Sequence, residues 1–100
     1  MIPSDYQEKV HGFAVYKHNA YPFIALAEEA GEVAGLAAKA LRKHGSIDAV
    51  SIDTLKDELG DVLWNVAELC NLAGLTLEEV MEWNISKLDA RRQQGKIVER

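Results

Sequence analysis

The chain has 100 residues, 48% of them hydrophobic and 27% charged, which fits a single domain over residues 1–100 with one modest core and excludes a disordered chain. Lys and Arg number 11 against 16 Asp and Glu, for a net charge of −5 with no basic stripe along any element, so nucleic-acid binding is disfavoured and an anionic ligand needs a metal ion or a few placed cations. No apolar run reaches the ~18 residues of a membrane span, "MIPSDYQEKV" lacks the order of a secretory signal, and the lone Cys70 excludes an internal disulfide, so the expected location is a reducing cytoplasm.

The periodicity is helical throughout and predicts an all-α fold of four helices. Ser4 is expected to cap the first helix, with Gln7 as its capping-box partner. That helix should run to about His18 and Asn19, with Tyr6, Val10, Phe13 and Lys17 facing inward. Pro22 suits the first turn of a second helix, which reaches about His44 and stops at Gly45. Leu26, Ala30, Val33, Ala37 and Leu41 form its apolar stripe. Residues 45–51 read as a loop, and Ser51 or Asp53 caps a third helix ending at Ala73 and Gly74. Cys70 reads as a small core residue on the face of Leu59, Val66 and Ala73. Thr76 and Glu79 form a second capping box and open the fourth helix, with Leu77, Met81, Asn84 and Leu88 inward. After Gly95 the tail "KIVER" reads as loose or lying on a partner.

Helices of about 22 residues are ~33 Å long, too long for a domain whose radius of gyration should be ~13 Å. Each is apolar or small on more than one face. The bundle is therefore expected to be completed by oligomerisation, as a homodimer or homotetramer.

Carboxylates punctuate the two central helices. Glu29 and Glu32 are three apart, as are Glu58 and Asp61, and i, i+3 positions on a helix point the same way. Each pair borders an apolar stripe, and if those stripes pack together the four acids converge. A solvated acidic surface is the alternative for one such pair. Here the pair occurs twice, and the positions four residues on are Val33, Leu36, Val62 and Asn65, none of them basic. Clustered carboxylates without a cation cost several kcal/mol in repulsion and desolvation. An all-oxygen set selects a hard ion, Mg²⁺ with Mn²⁺ as a substitute. Ala27, Ala30, Gly31, Ala34 and Gly60 are expected to keep the helices close and leave room for water and phosphate.

These residues carry a resemblance. Glu28-Glu29-x-x-Glu32, followed after 25 residues by Glu58-x-x-Asp61, resembles the signature of the MazG-like nucleoside triphosphate pyrophosphohydrolases of the all-α NTP pyrophosphatase superfamily. "LAEEAGEVAG", "DELGDVLWNV" and "NISKLDARR" look like segments of that family, and the likeness spans roughly residues 22–92. It implies Mg²⁺-dependent cleavage of a nucleoside triphosphate to the monophosphate and pyrophosphate. Glu29, Glu32, Glu58 and Asp61 match the metal-ligand positions. Glu28 is expected to orient or deprotonate the attacking water. Asn84 and Lys87 match substrate contacts, and Arg91, on nearly the same face, would reach the phosphates; a buried Asn fixing helix register beside two snorkelling cations is the alternative. Lys17 is a further phosphate-contact candidate, and Asn65 would read a base edge or hold a metal ligand in place.

Trp64, Trp83, Tyr16, Tyr21 and Phe13 are available to stack on a base, although aromatics at such positions also build cores. They make a purine deoxynucleotide such as dGTP the first choice of substrate. A dUTPase-, dCTPase- or phosphoribosyl-ATP-directed activity stays open within the superfamily. A di-iron carboxylate protein needs two Glu-x-x-His motifs, and the chain has one, Glu8-x-x-His11. A non-enzymatic helical dimerisation module would make the acids incidental.

Overall fold

Prolines, glycines and capping side chains cut the chain into four helices: α1 (Pro3–His11), α2 (Tyr21–His44), α3 (Ile52–Ala73) and α4 (Leu77–Gln93). The computed structural model describes residues 1–96, and among them there is no strand. The tail beyond Lys96 lies outside the described residues.

The predicted stops are where the sequence placed them. Gly45 takes φ 71° and donates its N–H to the Leu41 carbonyl at 3.0 Å. Gly74 takes φ 70° and closes α3 in the same left-handed way, a conformation that strains any residue with a Cβ. Of the two candidate caps for α3, Ser51 serves, its Oγ accepting the Thr54 N–H at 3.3 Å. Thr76 and Glu79 form both halves of the expected capping box, at 3.1 and 3.0 Å. The loop between α2 and α3 contains one 3₁₀ turn, Ile47–Ala49, opened by Ser46.

The first helix differs from expectation. It has 9 residues and ends at His11, so Phe13 and Lys17 belong to an irregular segment leading to α2. Ser4 does not cap it; Ile2 holds that position without a side-chain bond, and Pro3 takes the first turn. Both residues of the expected capping box face across the fold instead. Ser4 acts on Glu78 of α4 and holds that carboxyl below its usual range. Gln7 is buried and donates Nε2 to Asn71 Oδ1 at 2.9 Å and to the Leu75 carbonyl at 2.8 Å. Its Oε1 accepts the Leu77 N–H at 2.8 Å. The turn between α3 and α4 has main-chain groups that must be paired once covered, and Gln7 pairs them.

Behind that junction lies a small core of Ala67, Cys70 and Leu77, with Tyr6, Val10 and Val66 packed against it. Cys70 is the small core residue expected. α2 lies along α3, and what it buries is compact: Pro22, Ala25 and Ala40. Its predicted stripe is only partly covered, and Leu41 is exposed. On α4 only Leu77 of the predicted inward stripe is buried. Met81, Asn84 and Leu88 are exposed because α4 packs on α1 rather than along α2. The radius of gyration is accordingly 16.2 Å, against ~13 Å for a compact chain of this length.

Candidate metal centre

Where α2 and α3 run together, Glu29, Glu32 and Glu58 bring carboxylate oxygens within 4.8 Å of one another. Glu29 and Glu32 meet because they are one turn apart on α2; Glu58 reaches them from α3. Asp61 lies one turn beyond Glu58, exposed and outside this group of three. Its charge still acts on the cluster.

The electrostatics follow from crowding. Glu29 is pushed above its usual value by desolvation, then by the charges of Glu32, Asp61 and Glu28. A hydrogen bond shared with Glu32 raises Glu58 to about 7, together with burial and the charges of Glu32, Asp61 and Glu29. No basic side chain offsets these shifts. In addition, Glu29 Oε2 and Glu58 Oε2 are covered without a hydrogen-bond partner. Two orphaned acceptors among three converging carboxylates suit a hard divalent cation, which accepts oxygen ligands and removes the repulsion.

Gly31 and Gly60 do not keep the helices close, as was expected of them: a Cβ at either would meet nothing within 4 Å. Asn65 is buried and donates Nδ2 to the Asp61 main-chain carbonyl at 3.0 Å, bracing the turn that carries Asp61. Its Oδ1 has no partner. Glu28 is exposed beside Glu29. Asn84, Lys87 and Arg91 sit on α4, which packs mainly on α1, touches α3 at Leu77 and does not run along α2. Lys17 lines a cleft with Phe13, Tyr16, Tyr21 and Trp64.

A second polar cluster escaped the sequence reasoning. Glu68 of α3 is fully buried. It accepts hydrogen bonds from the Tyr16 hydroxyl at 2.8 Å and from Asn71 Nδ2 at 2.9 Å, and His11 Nδ1 lies 3.1 Å from both its oxygens. Burial disfavours the charged form, but the bonds from Tyr16, Asn71 and His11 outweigh it and hold Glu68 below its usual value. Desolvation and the Glu68 carboxylate push the Tyr16 phenol up to about 12. The one Glu-x-x-His motif thus spends its histidine on Glu68, not on the acidic cluster. A signal was present: Glu58, Asp61, Asn65, Glu68 and Asn71 follow each other at spacings of three or four, a continuous polar ridge along α3.

The sequence profile of the MazG nucleotide pyrophosphohydrolase domain matches residues 22–95. The chain is also similar to the Gene 37 protein of Mycobacterium phage L5, with 42% identity over 78 residues that cover 77% of this chain and 68% of that protein. No solved structure matches. The profile match takes in α2, α3 and α4 and with them every converging carboxylate, and on that ground the chain belongs to the MazG nucleotide pyrophosphohydrolase domain family.

Proposed function

We propose that this chain is a single-domain, Mg²⁺-dependent nucleoside triphosphate pyrophosphohydrolase, with Mn²⁺ as a substitute ion. The observation that carries it is the meeting of Glu29, Glu32 and Glu58 with two orphaned oxygens, in a chain of this family. Water attacks the α-phosphorus, the bond to the bridging α–β oxygen breaks, and pyrophosphate leaves with that oxygen while the nucleoside monophosphate remains. Bound among the acids, a hard divalent cation supplies charge neutralisation at phosphate oxygens and favours attack by water.

The chain's own residues do the rest. Glu29, Glu32, Glu58 and Asp61 hold the ion, and Asn65 braces Asp61 through its carbonyl. Glu28, close enough for its charge to act on Glu29, orients the water and takes its proton. Asn84 binds substrate, Lys87 and Arg91 offset charge on the departing pyrophosphate, and Lys17 takes a phosphate oxygen. Because α4 packs on α1 rather than along α2, those α4 groups serve a neighbouring copy in a homodimer or homotetramer. The exposed Phe23, Ile24, Ile52 and Ile85 give such an assembly apolar surface to bury.

The first-choice substrate is a purine deoxynucleotide such as dGTP, because large aromatics offer more stacking area to a purine. The buried, unpaired Cys70 is in keeping with a cytoplasmic location. No helix among the described residues is long and apolar enough to cross a membrane. The test is a panel of ribo- and deoxynucleoside triphosphates with Mg²⁺ or Mn²⁺, assayed for pyrophosphate and orthophosphate separately. Pyrophosphate with the monophosphate is expected; orthophosphate with the diphosphate would overturn the cleavage site.

A further inference from the structure

Building on the function proposed above, we propose that the cleft between the segment following α1 and helix α3 is a nucleobase-stacking site, in which Tyr16 sets base affinity and the buried Glu68 carboxylate is its positioning residue. The cleft encloses ≈ 500 Å³ and is lined by Phe13, Tyr16, Lys17, His18, Tyr21 and Trp64 among others. Ligand sites commonly run from ~300 to ~1,000 Å³. Its rings are ordered: Tyr16 stacks on Tyr21 with centroids 5.6 Å apart and an interplanar angle of 18°. Trp64 meets Tyr16 edge-on at 6.1 Å and 90°, and its Nε1 donates to the Val10 carbonyl at 3.3 Å.

Two features distinguish this cleft from ordinary apolar surface. One is the support behind it. Residues 12–20 have no regular helix to hold them, yet Tyr16 is anchored by a carboxylate with no solvent exposure that also engages His11 and Asn71. Burying a carboxylate is costly, and this one fixes the Tyr16 ring together with His11 and Asn71. The other feature is location. Trp64 is three residues beyond Asp61, about 4.5 Å along α3 on nearly the same face, and Tyr21 is eight residues before Glu29, about 12 Å along α2. A nucleotide with its phosphates on the acids would carry its base toward this end of the helix pair. A planar, polarisable ring system with an attached anion fits three ordered aromatics with a lysine among the lining residues.

The test separates base binding from turnover. Trp83, the other tryptophan, is exposed on α4 and lines no part of the cleft, so Trp83→Phe leaves Trp64 as the sole fluorescent indole. In chelator, nucleoside 5′-monophosphates are expected to quench Trp64 saturably and ribose 5-phosphate is not. Tyr16→Ala should weaken nucleotide binding on the order of tenfold. Glu68→Gln, which removes no ring, should weaken it in the same direction, and Tyr16→Phe should retain more affinity than Tyr16→Ala. In turnover, Tyr16→Ala should raise KM for nucleoside triphosphates but leave methyl triphosphate, which has no base, unchanged. Equal quenching by ribose 5-phosphate, absence of saturable quenching, or equal effects on both triphosphates would overturn the proposal. Base-dependent quenching in a protein that releases no pyrophosphate would uphold the cleft and overturn only the reaction.

Discussion

Glu58 of α3 and Glu32 of α2 bring carboxylate oxygens within 4.8 Å of each other across the helix pair. Two carboxylates this close repel each other, and the pair favours a shared proton, which raises Glu58 to about 7. The proton is a stand-in for the cation that the acids would otherwise hold, and several consequences can be measured.

The metal-free protein should lose stability as pH rises from about 4.5 to about 7. Glu58 titrates at about 7 in the fold instead of 4.5, so the folded state favours its protonated form. That contribution is full below the ordinary value and disappears as pH climbs through the folded one. Glu68 and Glu78 shift downward, so their contributions are lost only toward lower pH. Thermal melts in chelator across this window should show a falling Tm, and Glu58→Gln should flatten the slope. A Tm that rises across the window would contradict the shared proton.

Millimolar Mg²⁺ or Mn²⁺ should raise Tm at neutral pH by mass action on the folded state, beyond any effect of NaCl at matched ionic strength. Glu32→Gln should abolish the increment while raising the Tm of the metal-free protein, since an amide relieves repulsion among Glu29, Glu32 and Glu58. Opposite signs in one variant are not expected of a solvated surface acid. An unchanged response to Mg²⁺ in Glu32→Gln would remove that residue from the ligand set.

Turnover should fall by about 10²–10³ in Glu58→Gln and in Asp61→Asn, the usual cost of losing one essential electrostatic contact. Steady-state rates of pyrophosphate release under saturating Mg²⁺ check this. Asp61 is the more informative of the two, because it lies outside the converging group of three. Retention of full activity in Asp61→Asn would confine the centre to Glu29, Glu32 and Glu58.

Lys87→Ala should impair substrate affinity and turnover while the Mg²⁺-dependent rise in Tm persists. Since α4 packs on α1 rather than along α2, mixing Lys87→Ala with Glu58→Gln should restore activity through mixed oligomers. Failure of every mixing ratio to exceed the two variants alone would assign both groups to one chain.

Gln7→Ala should cost about 2–4 kcal/mol in denaturant unfolding, because it strips partners from Asn71, the Leu75 carbonyl and the buried Leu77 N–H at once. A loss below about 1 kcal/mol would show that water replaces these bonds at no net cost.

The signals that proved legible were local. Gly45 and Gly74 ended helices because only a glycine enters the left-handed region cheaply. Thr76 and Glu79 formed their box because both partners lie within one turn. The acids could be paired on each helix from i, i+3 spacing alone. The same reasoning misassigned Ser4 and Gln7, whose pattern was as good as that of Thr76 and Glu79. The difference is competition: Ser4 and Gln7 have Glu78 and the α3–α4 turn within reach, and a buried main-chain group without a partner costs more than an exposed, uncapped helix end.

The sequence by itself therefore determined the all-α class, the ends of α2 and α3, the start of α4 and the family, each encoded within a few residues or in a motif. Tertiary structure alone decided that Glu58 crosses to Glu29 and Glu32 while Asp61 lies just outside them. It also decided that Glu68 turns inward to anchor Tyr16, and that α4, which carries Asn84, Lys87 and Arg91, rests on α1 rather than along α2. These outcomes depend on which helix faces meet. Helical periodicity names the apolar faces, but when a chain of this length has more such faces than it can cover, packing selects among them.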